Sequence, residues 1–194
     1  FKKYKSNNKE LLRKIIHIGI GPIIPLAIYL DISREFAAYF VCLISILIFL
    51  NYQYRIFPII EDVDRKSYGT FFYSLSLFIL IIIFWNKDPI TLVTGFFIMT
   101  FGDGLAGLIG RSLDSREWLI FNQKKTLLGT LTMLIASFLV ISCLGFFAGY
   151  GFNIYYLFIA IIATCLEQIS FLGVDNLSVP IVSSLCFNFL ISKI

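Results

Sequence analysis

Charged residues are scarce in this sequence. Only 14% of the 194 residues are Asp, Glu, Lys or Arg, whereas 58% are hydrophobic and the mean hydropathy is +0.86. Soluble domains carry about a quarter charged residues, so this composition excludes an ordinary soluble protein. The length allows one domain, residues 1–194, with no room for a separate soluble catalytic module.

Several familiar signatures are missing as well. The sequence has no GxxxxGK[ST] loop, no GxSxG, no HExxH and no protein-kinase motif set, which excludes a P-loop kinase and argues against the other three classes. Its cysteines lie inside apolar runs and none has CxxC spacing. We therefore expect small buried hydrophobes, neither metal ligands nor disulfides, at Cys42, Cys143, Cys165 and Cys186.

What the sequence has instead is a series of apolar runs close to the roughly 20 residues that cross a bilayer. Only helices or closed barrels satisfy the backbone in lipid, and these runs lack the alternation of barrel strands. The pattern predicts an all-α, polytopic integral membrane helix bundle of about seven transmembrane helices, at 15–30, 36–54, 70–85, 89–110, 127–149, 154–172 and 177–192.

The distribution of Lys and Arg predicts the orientation of these helices. If the N-terminus is cytoplasmic, thirteen of the sixteen basic residues fall on the cytoplasmic side, as the positive-inside rule requires. Residues 1–14 form a basic cytoplasmic arm, and because the first residue is Phe1 we expect a chain truncated at its N-terminus. This topology explains the net charge of +4, so no nucleic-acid partner is implied.

The sharpest local signal is Gly102-Asp103-Gly104, followed by Gly107 and Gly110. Asp103 lies about seven residues before the end of its predicted helix, roughly 10 Å deep, where an ionisable group needs a partner or a cavity. The glycines leave one helix face bare, so that a ligand could approach the carboxylate. In the alternative interpretation, Gly102, Ala106 and Gly110 form a small-residue packing stripe, which explains the glycines but not Asp103.

Two basic segments are candidates for phosphate binding. Lys124-Lys125-Thr126 precedes a predicted helix, whose free N–H groups attract anions. The alternative is an ordinary membrane anchor with Thr126 as the N-cap. Arg65 and Lys66 belong to a mixed-charge loop with Glu61, Asp62 and Asp64, which could equally be a solvated surface.

Further polar residues are predicted at the same cytoplasmic end. Glu167 lies inside an otherwise apolar helix, and Asp175-Asn176 precedes the last helix, where either residue could be an N-cap. Oxygen atoms of Asp103, Glu167 and Asp175 could together hold Mg²⁺, which prefers such ligands. His17 stands three residues after Lys14 on one helix face and could equally be a hydrogen-bonded interior residue.

In order along the chain, these motifs resemble the membrane lipid kinases of the phytol kinase, dolichol kinase and CTP-dependent diacylglycerol kinase superfamily (the polyprenol kinase family). The matching segments are RKIIHIGIG at 13–21, DRKSYGTFFYSLSL at 64–77, GDGLAGLIGR at 102–111, KKTLLGT at 124–130 and LEQISFLGVDNLSVP at 166–180. The sequence departs from the pattern at Gly107, where many relatives have a second acidic residue.

The resemblance implies transfer of the γ-phosphate of a nucleotide, CTP in the family, to a long isoprenoid or lipid alcohol such as phytol. For this reaction we predict catalytic roles for Asp103, Lys125 and His17, and binding of Mg²⁺ or another divalent cation by Asp103, Glu167 and Asp175. The nucleotide phosphates would lie against Gly102, Gly104, Gly107, Lys124, Lys125, Thr126, Gly129, Arg65 and Lys66.

Two other functions stay open. Phosphatidate cytidylyltransferases, which make CDP-diacylglycerol, also have an Asp on a glycine-flanked helix followed by K-K-T-x-x-G. Their C-terminal signature rich in Lys, Asp, His and Gly is absent here, where the chain ends FNFLISKI. A non-enzymatic transporter or scaffold would also place carboxylates in the membrane, but the polar groups of this sequence gather at one face.

Overall fold

A computed structural model describes residues 14–54, 68–121 and 123–193. These residues form seven helices and one hairpin. The helices are α1 (Lys14–Tyr29), α2 (Arg34–Tyr54), α3 (Gly69–Phe84), α4 (Pro89–Ser112), α5 (Leu127–Phe147), α6 (Tyr155–Gln168) and α7 (Asp175–Ile191). The hairpin consists of strands β1 (Glu117–Ile120) and β2 (Gln123–Thr126).

Each predicted apolar run corresponds to one of these helices, with ends that differ by at most four residues. Three of them, α2, α4 and α5, are long and apolar enough to cross a membrane, and the other four have 10–17 residues. Large apolar side chains are exposed along α2, α5 and α6, as lipid contact requires. The chain is therefore an all-helical membrane protein.

Helix α4 lies at the centre of the bundle and packs on α1, α3, α5 and α7. Its first half approaches α7 closely because Gly95 has no side chain: a Cβ atom there would lie 2.4 Å from the carbonyl oxygen of Pro180. Its middle, Ile98–Asp103, is a π-helical segment. Such wide turns occur often at functional sites, and this one ends at Asp103.

Close approach of α1 and α4 depends on Gly21. A Cβ atom at this position would lie 2.6 Å from Cγ2 of Thr100, so a larger residue would push the two helices apart. Pro22 follows directly and interrupts α1, because its ring removes one backbone donor. The contact fixes the height of α1 beside the π segment of α4.

Two local predictions were wrong, and one element was missed. Neither Asp175 nor Asn176 caps α7; the N-cap is Val174, without a side-chain bond. The sequence also gave no sign of the hairpin between α4 and α5. Finally, the cysteines are free but not buried: Cys143 and Cys165 are exposed, and Cys42 and Cys186 are half-buried. Hydropathy fails to separate core from lipid-facing positions, because both are apolar in a membrane protein.

Candidate active site

Three carboxylates from different helices meet at one end of the bundle. Asp103 comes from the π segment of α4, Glu167 from the end of α6 and Asp175 from the start of α7. One oxygen atom of each lies within 4.8 Å of the others, and Asp103 and Glu167 are only 6% and 7% exposed. Like charges at this distance repel strongly when water is excluded, so the cluster needs cations.

Two lysines supply part of this charge. Lys14 of α1 forms a buried ion pair with Asp103, and its Nζ also lies 3.4 Å from the Asp103 carbonyl oxygen. Lys125 of β2 forms a buried ion pair with Glu167 and donates to the Glu167 carbonyl oxygen at 2.8 Å. Each lysine therefore connects a separate element to one carboxylate of the cluster.

The remaining carboxylate, Asp175, is satisfied only in part. Its backbone N–H donates to Oγ of Ser170 at 3.1 Å, which fixes the start of α7. Its Oδ1 atom is buried without a hydrogen-bond partner in the described part of the chain. Buried carboxylate oxygens almost always have a partner, so this oxygen marks a position for a bound cation or water.

The residues present fit the divalent metal that the carboxylates of the sequence predict. Oxygen atoms on opposite sides of Mg²⁺, each about 2.1 Å from it, are about 4.2 Å apart. Only one pair among three ligands can be opposite, and adjacent oxygens are about 3.0 Å apart, so the three carboxylates, which lie within 4.8 Å of one another, would approach by up to about 1.8 Å on binding. The three carboxylates, of which Asp175 has an unpartnered Oδ1, offer the oxygen ligands that Mg²⁺ prefers.

Strand alternation separates the two neighbouring lysines of β2. The side chain of Lys125 is 10% exposed and points at Glu167, whereas that of Lys124 is 64% exposed. Lys124 pairs instead with Glu117 of β1, with Nζ 2.6 Å from Oε2. Successive side chains of a strand face opposite ways, so the hairpin brings one of the two lysines to the carboxylates and keeps the other outside.

Thr126 ends β2 and is the N-cap of α5, where its side chain accepts a hydrogen bond from the Gly129 N–H at 3.1 Å. Gly129 and Gly110 pack against each other: a Cβ atom at Gly110 would lie 3.2 Å from Cα of Gly129. A Cβ at Gly102 would lie 2.8 Å from Sδ of Met133 on α5. The space beside these glycines is thus occupied by the neighbouring helix, as expected for a small-residue packing stripe.

The other two glycines of the α4 segment face α1. A Cβ atom at Gly104 would lie 2.5 Å from Cγ1 of Ile18, and one at Gly107 would lie 2.6 Å from Cε of Lys14. The face that the sequence left bare for a ligand is therefore occupied by α1 in this structure. At Gly107 in particular, the missing side chain makes room for the lysine that pairs with Asp103.

His17 lies at the edge of the cluster. Its Nε2 is 3.9 Å from Oδ2 of Asp103 and 3.4 Å from the Met99 carbonyl oxygen, and its ring centroid is 4.0 Å from that of Tyr73. The Tyr73 hydroxyl is held by Oγ1 of Thr100 at 3.0 Å. The imidazole is thus oriented by α3 and α4 and directed at Asp103.

Some residues of the site escaped the sequence analysis, and two predicted ones cannot be placed. Gln168 donates to Oε2 of Glu167 at 2.7 Å and to Oγ1 of Thr130 at 2.9 Å, a role that nothing in the sequence indicated. Lys14 was noted only as a neighbour of His17, and that i, i+3 spacing was the available signal. Arg65 and Lys66, with the rest of their loop, lie outside the described residues.

Comparison with curated proteins finds relatives over almost the whole chain. A phytol kinase of Synechocystis sp. is 38% identical over 181 residues, which cover 91% of this chain and 77% of that protein. The chain belongs to the phytol kinase family. The resemblance seen in the five motifs is thereby confirmed at the level of the family.

Plant members of the phytol kinase family match less closely. Probable phytol kinase 1, chloroplastic, of Oryza sativa subsp. japonica is 31% identical, and phytol kinase 1, chloroplastic, of Arabidopsis thaliana is 28% identical. The match covers 91% of this chain in both cases, but only 63% and 65% of the plant proteins. No protein-family model matches the chain, and no solved structure matches it significantly.

Proposed function

We propose that this chain is a membrane lipid kinase that transfers the γ-phosphate of CTP to phytol or a similar long-chain isoprenoid alcohol. The observation that carries the proposal is the buried carboxylate cluster with its two lysines, at one end of helices apolar enough to enter a membrane. The relatives named phytol kinase support the acceptor. The sequence resemblance supports CTP as the donor.

In the proposed reaction the alcohol oxygen attacks the γ-phosphorus, the bond to the β-phosphate oxygen breaks, and CDP leaves. The alcohol proton passes to Asp103 or His17, whose side chains are 3.9 Å apart. Phosphoryl transfer needs mainly positioning and charge stabilisation. Lys125, held beside Glu167, would stabilise charge on the transferred group.

Asp103, Glu167 and Asp175 would hold Mg²⁺, which neutralises charge on the nucleotide phosphates when it is bound. The chain's own contribution is the arrangement of these ligands. The π segment presents Asp103, and Gln168 fixes Glu167 through Oε2 while Lys125 takes Oε1. The orientation of both carboxylates is thus set before any ligand arrives, as efficient catalysis requires.

The proposal includes a topology of about seven transmembrane helices with the site on the cytoplasmic face. Helix α1, α5 and α7 begin near the cluster, and α6 ends there. Soluble nucleotides are cytoplasmic, and basic residues concentrate at this end of the bundle. Both arguments favour a site on the cytoplasmic face. The lipid alcohol would then reach the site from the bilayer with its hydroxyl at the interface.

Purified protein with Mg²⁺ tests the proposal directly. CTP labelled at the γ-phosphate is offered with phytol, farnesol or diacylglycerol, and label is expected in phytyl phosphate. Absence of γ-label from every lipid would sink the kinase proposal. A parallel reaction with α-labelled CTP and phosphatidate separates the cytidylyltransferase alternative, because that enzyme would put the α-label into lipid.

A further inference from the structure

Lys14 is a buried lysine that the proposed reaction has not yet used. It is 8% exposed and comes from α1, the helix farthest along the sequence from Asp103. Its Cε and Nζ would lie 2.6 Å and 3.3 Å from a Cβ atom at Gly107, so the side chain crosses α4 only where that helix has no side chain. Both α1 and α4 are therefore shaped around this ammonium group.

Helix packing alone does not explain such an arrangement. Replacing a buried ion pair by apolar residues of similar size is often neutral or stabilising, because both charges lose their hydration. An apolar residue at position 14 facing a neutral one at 103 would pack α1 on α4 without that loss. Binding of a charged ligand therefore explains the Lys14–Asp103 pair better than the stability of the bundle does.

The formal charges of the cluster show why an anionic ligand would bind more tightly when Lys14 is present. The three carboxylates and the ammonium groups of Lys14 and Lys125 give the cluster a net charge of −1. One divalent cation would change this to +1, which attracts a polyphosphate. Without Lys14 the same loaded cluster would be neutral, and without both lysines it would repel the anion. Lys14 therefore supplies one of the two positive charges that keep the metal-loaded site attractive to an anion.

We propose that Lys14 is a phosphate-positioning residue that exchanges partners. Its ammonium pairs with Asp103 while the site is empty, and it pairs with the polyphosphate once a divalent cation neutralises the carboxylates. The inference rests on the proposed function and assigns to it a residue from α1. The ligand class is a divalent cation together with a di- or triphosphate, independent of the base and of the lipid alcohol.

Thermal unfolding of the full chain in detergent gives a test that does not need catalysis. The probes are Mg²⁺ alone and Mg²⁺ with inorganic tripolyphosphate, each titrated against the unfolding temperature. We expect Lys14→Met to weaken tripolyphosphate binding about tenfold to a hundredfold, the usual effect of losing a hydrogen bond to a charged group. Binding of Mg²⁺ alone should be unchanged or tighter, because the competing ammonium is gone.

A second variant protects the test against simple misfolding. Gly107→Ala keeps the charge of Lys14 but places a methyl group 2.6 Å from its Cε, so it should also weaken tripolyphosphate binding. Gly21→Ala is the matched control, since its methyl group would meet Cγ2 of Thr100 at the same distance and at the same α1–α4 contact. Because it loosens the α1–α4 contact without touching Lys14, Gly21→Ala should weaken binding less than Gly107→Ala does. Binding should remain normal in Lys87→Met, which removes an exposed lysine.

Unchanged tripolyphosphate binding in Lys14→Met, or equal losses in Gly107→Ala and Gly21→Ala, would overturn the inference and leave Lys14 a packing residue. The γ-label assay separates this failure from that of the proposed function. If the unmodified protein transfers label but Lys14→Met binds tripolyphosphate normally, the inference about Lys14 is rejected and the kinase proposal stands. If Lys14→Met selectively loses tripolyphosphate binding but the unmodified protein phosphorylates no alcohol, the kinase proposal is rejected and the inference about Lys14 stands.

Discussion

Helix α4 carries an aspartate at each end of its buried length, and the two are held in different ways. Asp88, at its start, accepts from the Thr91 N–H at 3.4 Å, from the Thr91 hydroxyl, and from the Asn188 amide at 3.2 Å. All these donors are neutral. Asp103 instead faces Lys14, His17 and two further carboxylates.

The difference separates a carboxylate with a structural role, Asp88, from one placed to bind a ligand, Asp103. Asp88 is an N-cap, and its hydrogen bonds join α4 to α7 without any need for a ligand. Asp103 lies in a cluster whose charge is not balanced within the described residues, and its neighbour Asp175 has a buried oxygen without a partner. The two aspartates of α4 therefore differ in the charge of the groups around them more than in their burial.

Neutralising the two aspartates should give the largest contrast. We expect Asp103→Asn to lower kcat/KM for γ-phosphate transfer about a hundredfold to a thousandfold, as loss of one preorganised charged group usually does. Asp88→Asn should retain activity within about threefold, because its partners are neutral donors. Steady-state assays on both variants, with membrane insertion checked by extraction, measure this. Comparable losses in the two would remove the distinction.

The two lysines of β2 provide the next test. Lys125→Met leaves Glu167 buried without its cation, so kcat/KM should fall about a hundredfold. Lys124→Met removes only an exposed partner of Glu117, so we expect a loss of about threefold or less. Assays at several salt concentrations measure both. A larger loss in Lys124→Met would restore the phosphate-binding role that the sequence predicted for it.

Weakening the cluster at Asp175 should change the metal requirement more than the maximal rate. Asp175→Asn removes one oxygen charge, and we expect the Mg²⁺ concentration for half-maximal activity to rise about tenfold. Chelation of divalent cations should abolish transfer reversibly in the unmodified protein. Titration of Mg²⁺ at fixed CTP checks both expectations, and an unchanged midpoint in Asp175→Asn would exclude this residue as a ligand.

The smallest effect concerns the other end of α4. Asp88→Ala removes the cap and the bond from Asn188, which should lower stability by about 1–2 kcal/mol. Activity per folded molecule should not change. Thermal unfolding in detergent, followed by assays below the transition, tests this expectation. Loss of activity without loss of stability would show that the capped end also takes part in the reaction.

The helices and the carboxylate cluster could be predicted because both follow from local patterns. Apolar runs define where helices form in lipid, and alternating helix direction places Asp103, Glu167 and Asp175 at one end. The count of seven crossings stays a prediction, since only α2, α4 and α5 are long enough by themselves.

What the sequence did not reveal depends on tertiary contact. The Lys14–Asp103 pair requires α1 to lie against Gly107, and nothing in either segment specifies that neighbour. The opposite directions of Lys124 and Lys125 follow from a four-residue strand, too short to stand out among loops. The exposed positions of Cys143 and Cys165 depend on which helix face is outward.

The π segment of α4 changes how the two halves of that helix relate to each other. A wide turn accommodates one extra residue, and one residue of an α-helix corresponds to a rotation of about 100°. Without the wide turn, the extra residue would turn Gly107 by about 100° relative to Gly95, away from Lys14. Deleting one residue from Ile98–Asp103 would remove the wide turn but leave Gly107 facing Lys14, so its effect should be confined to the way α4 presents Asp103.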